Sequence, residues 1–149
     1  MAPSIEYFTA LLAQYPDHPN ALYELGGAYD TGGEEQRARG YYESALDAGL
    51  AGDARRRCLI QYGSTLRNLD EFDASLTVFE RARSDFPDSD SVRLFYALSL
   101  HAAGRSDAAV GELLILSADR IRSPEVARYE AALRGNGEYL LGLDGQPRP

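Results

Sequence analysis

The sequence predicts an all-α chain built from one helix–turn–helix unit used three times, with a single helix before it and another after it. Three observations carry this expectation. First, Leu22, Leu25, Gly26 and Tyr29 stand at i, i+3, i+4 and i+7, one face of a 3.6-residue helix. The same spacing returns as Leu59, Tyr62, Gly63 and Leu66, and more weakly as Arg93, Tyr96, Ala97 and Leu100. Second, each set is followed by another at i, i+4 and i+7: Ala38, Tyr42, Ala45; Ser75, Phe79, Ala82; Ala109, Leu113, Leu116. Third, the sets keep register. Gly26 to Gly63, Ala38 to Ser75 and Tyr42 to Phe79 each span 37 positions, and the next interval is 34 in all three cases. Three positions moving in step define a repeat.

The elements follow in order. Ser4 to Tyr15 reads as a lone amphipathic helix with Ile5, Phe8, Leu11 and Leu12 on its apolar stripe. "YPDHPN", Tyr15 to Asn20, breaks it and prepares the next helix. Within the three units, Thr31 to Gly33, Asn68 to Asp70 and Ala102 to Gly104 supply the turns. The longer first interval is absorbed by the glycine-rich segment Ala48 to Asp53. Pro87 ends the second unit, and the Asp/Ser cluster after it offers N-caps for the third. Ser123 followed by Pro124 reads as an N-cap with proline at the first helical position. Val126, Tyr129 and Leu133 form the stripe of that last helix, and Gly135 is expected to stop it. The expected organisation is one domain over residues 1–141. Its repeats lie at about 19–52, 56–89 and 90–123, with an N-terminal helix at 4–15 and a capping helix at 124–134. Residues 142–149 are expected to form a flexible tail, after the stub of a further helix.

Composition narrows the function classes. The 149 residues suffice for one domain with a sizeable core. The net charge of −8 disfavours nucleic acid and anionic membrane as partners. All 15 basic residues are arginine, which reads as coding bias toward GC-rich codons. Cys58 is the single cysteine, so neither an intrachain disulfide nor a cysteine-built zinc site is available, in keeping with a reducing compartment. No apolar run reaches the ~18 residues of a membrane span, and "MAPSIEYF" lacks the basic start of a cleaved signal. A cytoplasmic location is the expectation by default.

The repeat resembles the tetratricopeptide repeat, a helix–turn–helix unit of about 34 residues with a W-x2-L-G-x2-Y…A-x3-F…P signature. The second unit fits at every signature position by residue class: Leu59, Tyr62, Gly63, Leu66, Ser75, Phe79, Ala82 and Pro87. The first has Leu50 where proline is usual. The third departs at Arg93, Leu116 and Ile121. The resemblance covers about Pro19 to Ser123 and implies a right-handed superhelix of stacked hairpins. It also gives Gly26, Gly63 and Ala97 a task. They sit where the first helix of each hairpin meets the second, opposite Ala38, Ser75 and Ala109. Helix axes usually lie ~8–10 Å apart, and the smaller separation needs small side chains at the contact. One glycine costs a helix about 1 kcal/mol, and burying one neighbouring Leu or Phe recovers about 1.5–3 kcal/mol.

The resemblance further implies a concave face, lined by the first helix of each unit, that binds an extended peptide or a helix of a partner protein. Carried over by position, that face presents Tyr23, Gly27 and Asp30, then Arg57, Ile60, Ser64 and Arg67, then Leu94, Leu98 and His101, with Phe95 beside them. Gly27 reads either as tolerated or as a place where a ligand backbone comes close. Arg57 and Arg67 read either as solvated helix arginines or as a bidentate grip on a carboxylate. The carboxylate clamp of some family members is absent, since its positions carry Tyr23, Gly27, Gln61, Ser91 and Phe95. No metal or other cofactor is expected: His18 and His101 have no second ligand at suitable spacing, and no nucleophile or phosphate-loop motif occurs. Cys58 reads as a buried filler or as a thiol activated by nearby arginines. Two functions stay open. One is a non-enzymatic module that binds a partner's peptide or helix. The other is a self-associating protein whose groove is filled by a second copy or by its own Tyr139–Leu143 segment.

Overall fold

The computed structural model describes residues 3–147, and these form nine helices and no strand. They are α1 (Pro3–Gln14), α2 (Pro19–Thr31), α3 (Glu35–Asp47), α4 (Gly52–Asn68), α5 (Phe72–Asp85), α6 (Asp90–Ala102), α7 (Ser106–Arg120), α8 (Pro124–Ala127) and α9 (Glu130–Leu143). The pairs α2/α3, α4/α5 and α6/α7 are hairpins, and each packs on the next through α3/α4 and α5/α6. Among the described residues no helix is long and apolar enough to cross a membrane.

The three hairpin turns share one backbone device. Gly33, Asp70 and Gly104 stand in register and all take positive φ, at 77°, 60° and 77°. At each turn an amide reaches back over the helix end: Glu34 to the Tyr29 carbonyl, Glu71 to Leu66 and Arg105 to Leu100, all at 2.9 Å. This is a Schellman-type closure, which a glycine adopts without steric cost. Asp70 bears that conformation as a non-glycine residue, a role in which Asp is tolerated better than most. Helix starts are capped as locally. Ser89 Oγ accepts from the Val92 amide, and Ser123 Oγ from the Val126 amide. For α2 the acceptor is a histidine: His18 Nδ1 takes the Ala21 amide at 3.2 Å, with Pro19 at the first helical position.

The small residues sit at the helix crossings. A Cβ on Gly26 would lie 2.8 Å from the Tyr42 ring, and one on Gly63 only 2.5 Å from the Phe79 ring. Tyr42 and Phe79 are fully buried, so the space beside each glycine is filled by an aromatic ring from the second helix. Ser75 meets the same crossing from the other side, its hydroxyl donating to the Gly63 carbonyl at 2.6 Å. Cys58 is completely buried, with Sγ 3.9 Å from the Tyr42 carbonyl. Burial pushes its thiol up to about 12 against the opposing pull of Arg55 and Arg81, so it is the buried filler and not an activated thiol.

The C-terminal region corrects the sequence expectation. The helix expected over 124–134 is broken after one turn: α8 ends at Ala127, and Tyr129 is 57 % exposed instead of part of an apolar stripe. Gly135 does not stop the next helix. α9 runs through Gly135, Gly137 and Gly142 to Leu143. The reason is tertiary. α9 lies antiparallel on α7 in the most extensive helix contact of the fold, and Gly137 is the point of closest approach. Ion pairs pin both ends, Asp144 with Arg105 and Arg134 with Asp119. Of the expected tail 142–149, Gly142 and Leu143 are helical. Gln146 Nε2 donates to the Gly142 carbonyl, and residues 148 and 149 lie outside the described residues.

Candidate partner-binding surface

The ten positions that the sequence places on one face fall into three environments. The first is a groove of about 400 Å³ between α1, α2 and α4, where Tyr23, Gly27 and Arg57 meet Phe8, Glu24 and Gln61. Gly27 forms open floor, since a Cβ there would have no neighbour within 4 Å. Arg57 is a solvent-facing cation: its side chain is 58 % exposed, and its nearest carboxylate, Asp53, is 3.9 Å away. Tyr23 contributes only its edge. It is buried, and burial raises its hydroxyl pKa while Arg57 pulls the other way.

The second environment is structural. Asp30 Oδ2 accepts the Tyr42 hydroxyl at 3.1 Å and lies 3.2 Å from Thr65 Oγ1, so its carboxylate links α2, α3 and α4. Ile60 is half-buried and packs against both core clusters. Arg67 donates to Ser99 Oγ at 3.3 Å, and its desolvation lowers its pKa. Ser99 in turn lies 2.9 Å from Ser75 Oγ. Arg67 is thereby committed to the α4/α6 junction, whereas Arg57 faces the first groove. Near these residues two buried polar atoms, Gln61 Oε1 and Ser64 Oγ, have no partner among the described residues.

The third environment is a groove of about 330 Å³ between α6 and α7. Leu94, Leu98 and His101 line it together with Val110 and Leu113. Leu94 and Leu98 are 46 % and 50 % exposed. The expected place of Leu113 in the hairpin core is not realised, for it is 40 % exposed. α9 does not enter this groove. It occupies the opposite side of α7, on Gly111 and Ile115, so Tyr139–Leu143 do not fill the apolar face.

Sequence reasoning did not place Phe8 or Val110 in a candidate site. Phe8 belongs to a helix outside the repeat register, which gave no position to carry over. Val110 had a signal. It is the register partner of Leu76 and Arg39, and an apolar residue stands there at the last repeat with no further unit marked to cover it.

These antiparallel hairpins, stacked in register and closed by the same turn, define a helical-repeat protein. A family model described as tetratrico peptide repeat matches residues 19–136, most of the chain. The chain belongs to the tetratricopeptide repeat family, whose domains are protein–protein interaction modules. Comparison with curated proteins and with solved structures returned no significant match.

Proposed function

We propose that this chain is a non-enzymatic interaction module that binds a peptide or a helix of a partner protein in the groove between α1, α2 and α4. The observation that carries this reading is the open floor at Gly27, where a Cβ would meet nothing within 4 Å, in a groove of about 400 Å³. The bare backbone there lets a ligand come close. Arg57 supports the reading as an exposed guanidinium at the groove, held by a long 3.9 Å ion pair with Asp53 that a ligand carboxylate could replace.

The test begins with peptides selected by phage display on the immobilised full chain. Gly27 has no positive φ and open space around it, so Gly27→Phe fills the groove without straining the backbone. Selected peptides should lose about tenfold or more in affinity to Gly27→Phe, and acidic ones also to Arg57→Ala. Peptides that bind both variants as well as the parent chain rule this groove out.

A further inference from the structure

The repeats allow each junction of the stack to be compared with the next, and the last junction is open. Tyr42, Phe79 and Leu113 are register equivalents on α3, α5 and α7; Tyr23 and Leu94 are equivalents on α2 and α6. In the first hairpin Tyr23 and Tyr42 are 5 % and 0 % exposed, and in the second Phe79 is 0 % exposed. In both, a helix of the next hairpin lies in the groove of the preceding one, and on the first hairpin α1 also flanks Tyr23. On the first hairpin it is α4: Cys58 sits on the Tyr42 carbonyl, and the Tyr62 ring lies 6.3 Å from the Tyr42 ring. On the second it is α6, which contacts both α4 and α5. On the third hairpin the same positions, Leu94 and Leu113, are 46 % and 40 % exposed.

A polar contact repeats with the apolar one. Asp30, Arg67 and His101 are register equivalents, and so are Thr65 and Ser99. Asp30 meets Thr65 at 3.2 Å, and Arg67 meets Ser99 at 3.3 Å. Each covering helix thus brings a hydroxyl to the polar residue at the end of its seat. His101 is the third member of that series. It is exposed, and its ring lies 3.5 Å from Ser106 Oγ.

We propose that the α6/α7 groove is the seat for an amphipathic helix of a partner protein, one that lays an apolar stripe over Leu94, Leu98, Val110 and Leu113 and turns a serine or threonine toward His101. A helix is favoured over a second copy of this chain because both filled versions of the seat hold one helix with a hydroxyl at this place. The matching face of a second copy would bring mainly leucine and valine, and its Ser106 is already beside its own His101. This surface is distinct from the groove at Gly27, and the two proposals stand or fall separately.

The probes are two labelled synthetic peptides, residues 52–69 and 89–103, the helices that fill the equivalent seats. Fluorescence anisotropy with the full chain should show saturable binding of at least one. Leu98→Glu and Val110→Glu, at exposed positions that leave the fold intact by circular dichroism, should weaken it about tenfold or more. Arg57→Ala should leave it unchanged. Replacing the peptide hydroxyl (Thr65→Ala or Ser99→Ala) should weaken binding to the parent chain and have no further effect on His101→Ala, the signature of a direct pair. Three results overturn the proposal: neither peptide saturates; binding survives Leu98→Glu; or sedimentation finds a dimer that Leu98→Glu splits, which would assign the seat to a second copy.

Discussion

Gly111 and Gly137 meet backbone to backbone across the α7/α9 contact: a Cβ on Gly111 would lie 2.8 Å from the Gly137 carbonyl oxygen, and one on Gly137 would lie 3.0 Å from that of Gly111. Neither atom can step aside without moving a helix. The two positions are therefore closed to any side chain while α9 keeps its seat.

Glycine-to-alanine substitutions should accordingly split by sign within one helix pair. Gly111→Ala forces the backbones apart and is expected to destabilise by roughly 1–3 kcal/mol, despite its gain in helix propensity. Gly135→Ala meets nothing within 4 Å and should stabilise α9 by up to about 1 kcal/mol. Urea denaturation of the two variants decides the matter, and equal shifts would show that the contact is not close.

The same contrast should appear in the repeats. Gly63→Ala drives a methyl to 2.5 Å from the fully buried Phe79 ring, so the ring or a helix must shift to admit it. A loss of roughly 1–3 kcal/mol is expected. Gly27→Ala, on an open helix surface, should gain up to about 1 kcal/mol. Thermal melts followed by circular dichroism should rank parent between the two.

Cys58 should be inert in the folded chain. With its thiol pushed up to about 12, almost none is thiolate at pH 8, and the group is sealed from reagents. Reaction with a colorimetric disulfide reagent should wait for unfolding. The sign of the pH effect follows. The folded pKa lies above the ordinary 9.0, so folding retains a proton that the unfolded chain releases. This contribution is intact below pH 9.0 and drains away as pH rises toward 12, by about 1.4 kcal/mol per unit within that window. Cys58→Ala should remove that part of the alkaline loss.

Asp119 ties three helices together. Its Oδ2 receives Arg93 of α6 at 2.7 Å and its Oδ1 receives Arg134 of α9 at 2.7 Å. Those two guanidiniums, Arg93 foremost, hold its carboxyl below the usual range. A depressed carboxylate stabilises above its unfolded pKa and stops doing so as pH falls through the folded one. Asp119→Asn should speed amide exchange in α9 at pH 7 and make little difference at a pH low enough to protonate the parent residue. Hydrogen exchange read by mass spectrometry checks both halves.

By itself the sequence determined the units. Helical spacing, turn residues and caps are local, and the small residues Gly26, Gly63 and Ala97 recur in register with Ala38, Ser75 and Ala109, so three hairpins were legible before any coordinates. Only the tertiary structure decided what happens at the ends and on the faces. Gly135 reads locally as a stop, yet α9 passes through it, because packing on α7 outweighs the propensity of three glycines and no local pattern encodes a contact 26 positions away between Gly111 and Gly137. Tyr23 and Leu94 hold the same place in the register, yet one is buried and the other open, since exposure depends on whether another helix lies above it. Periodicity records which side of a helix turns inward. It carries no record of which neighbour arrives to cover that side.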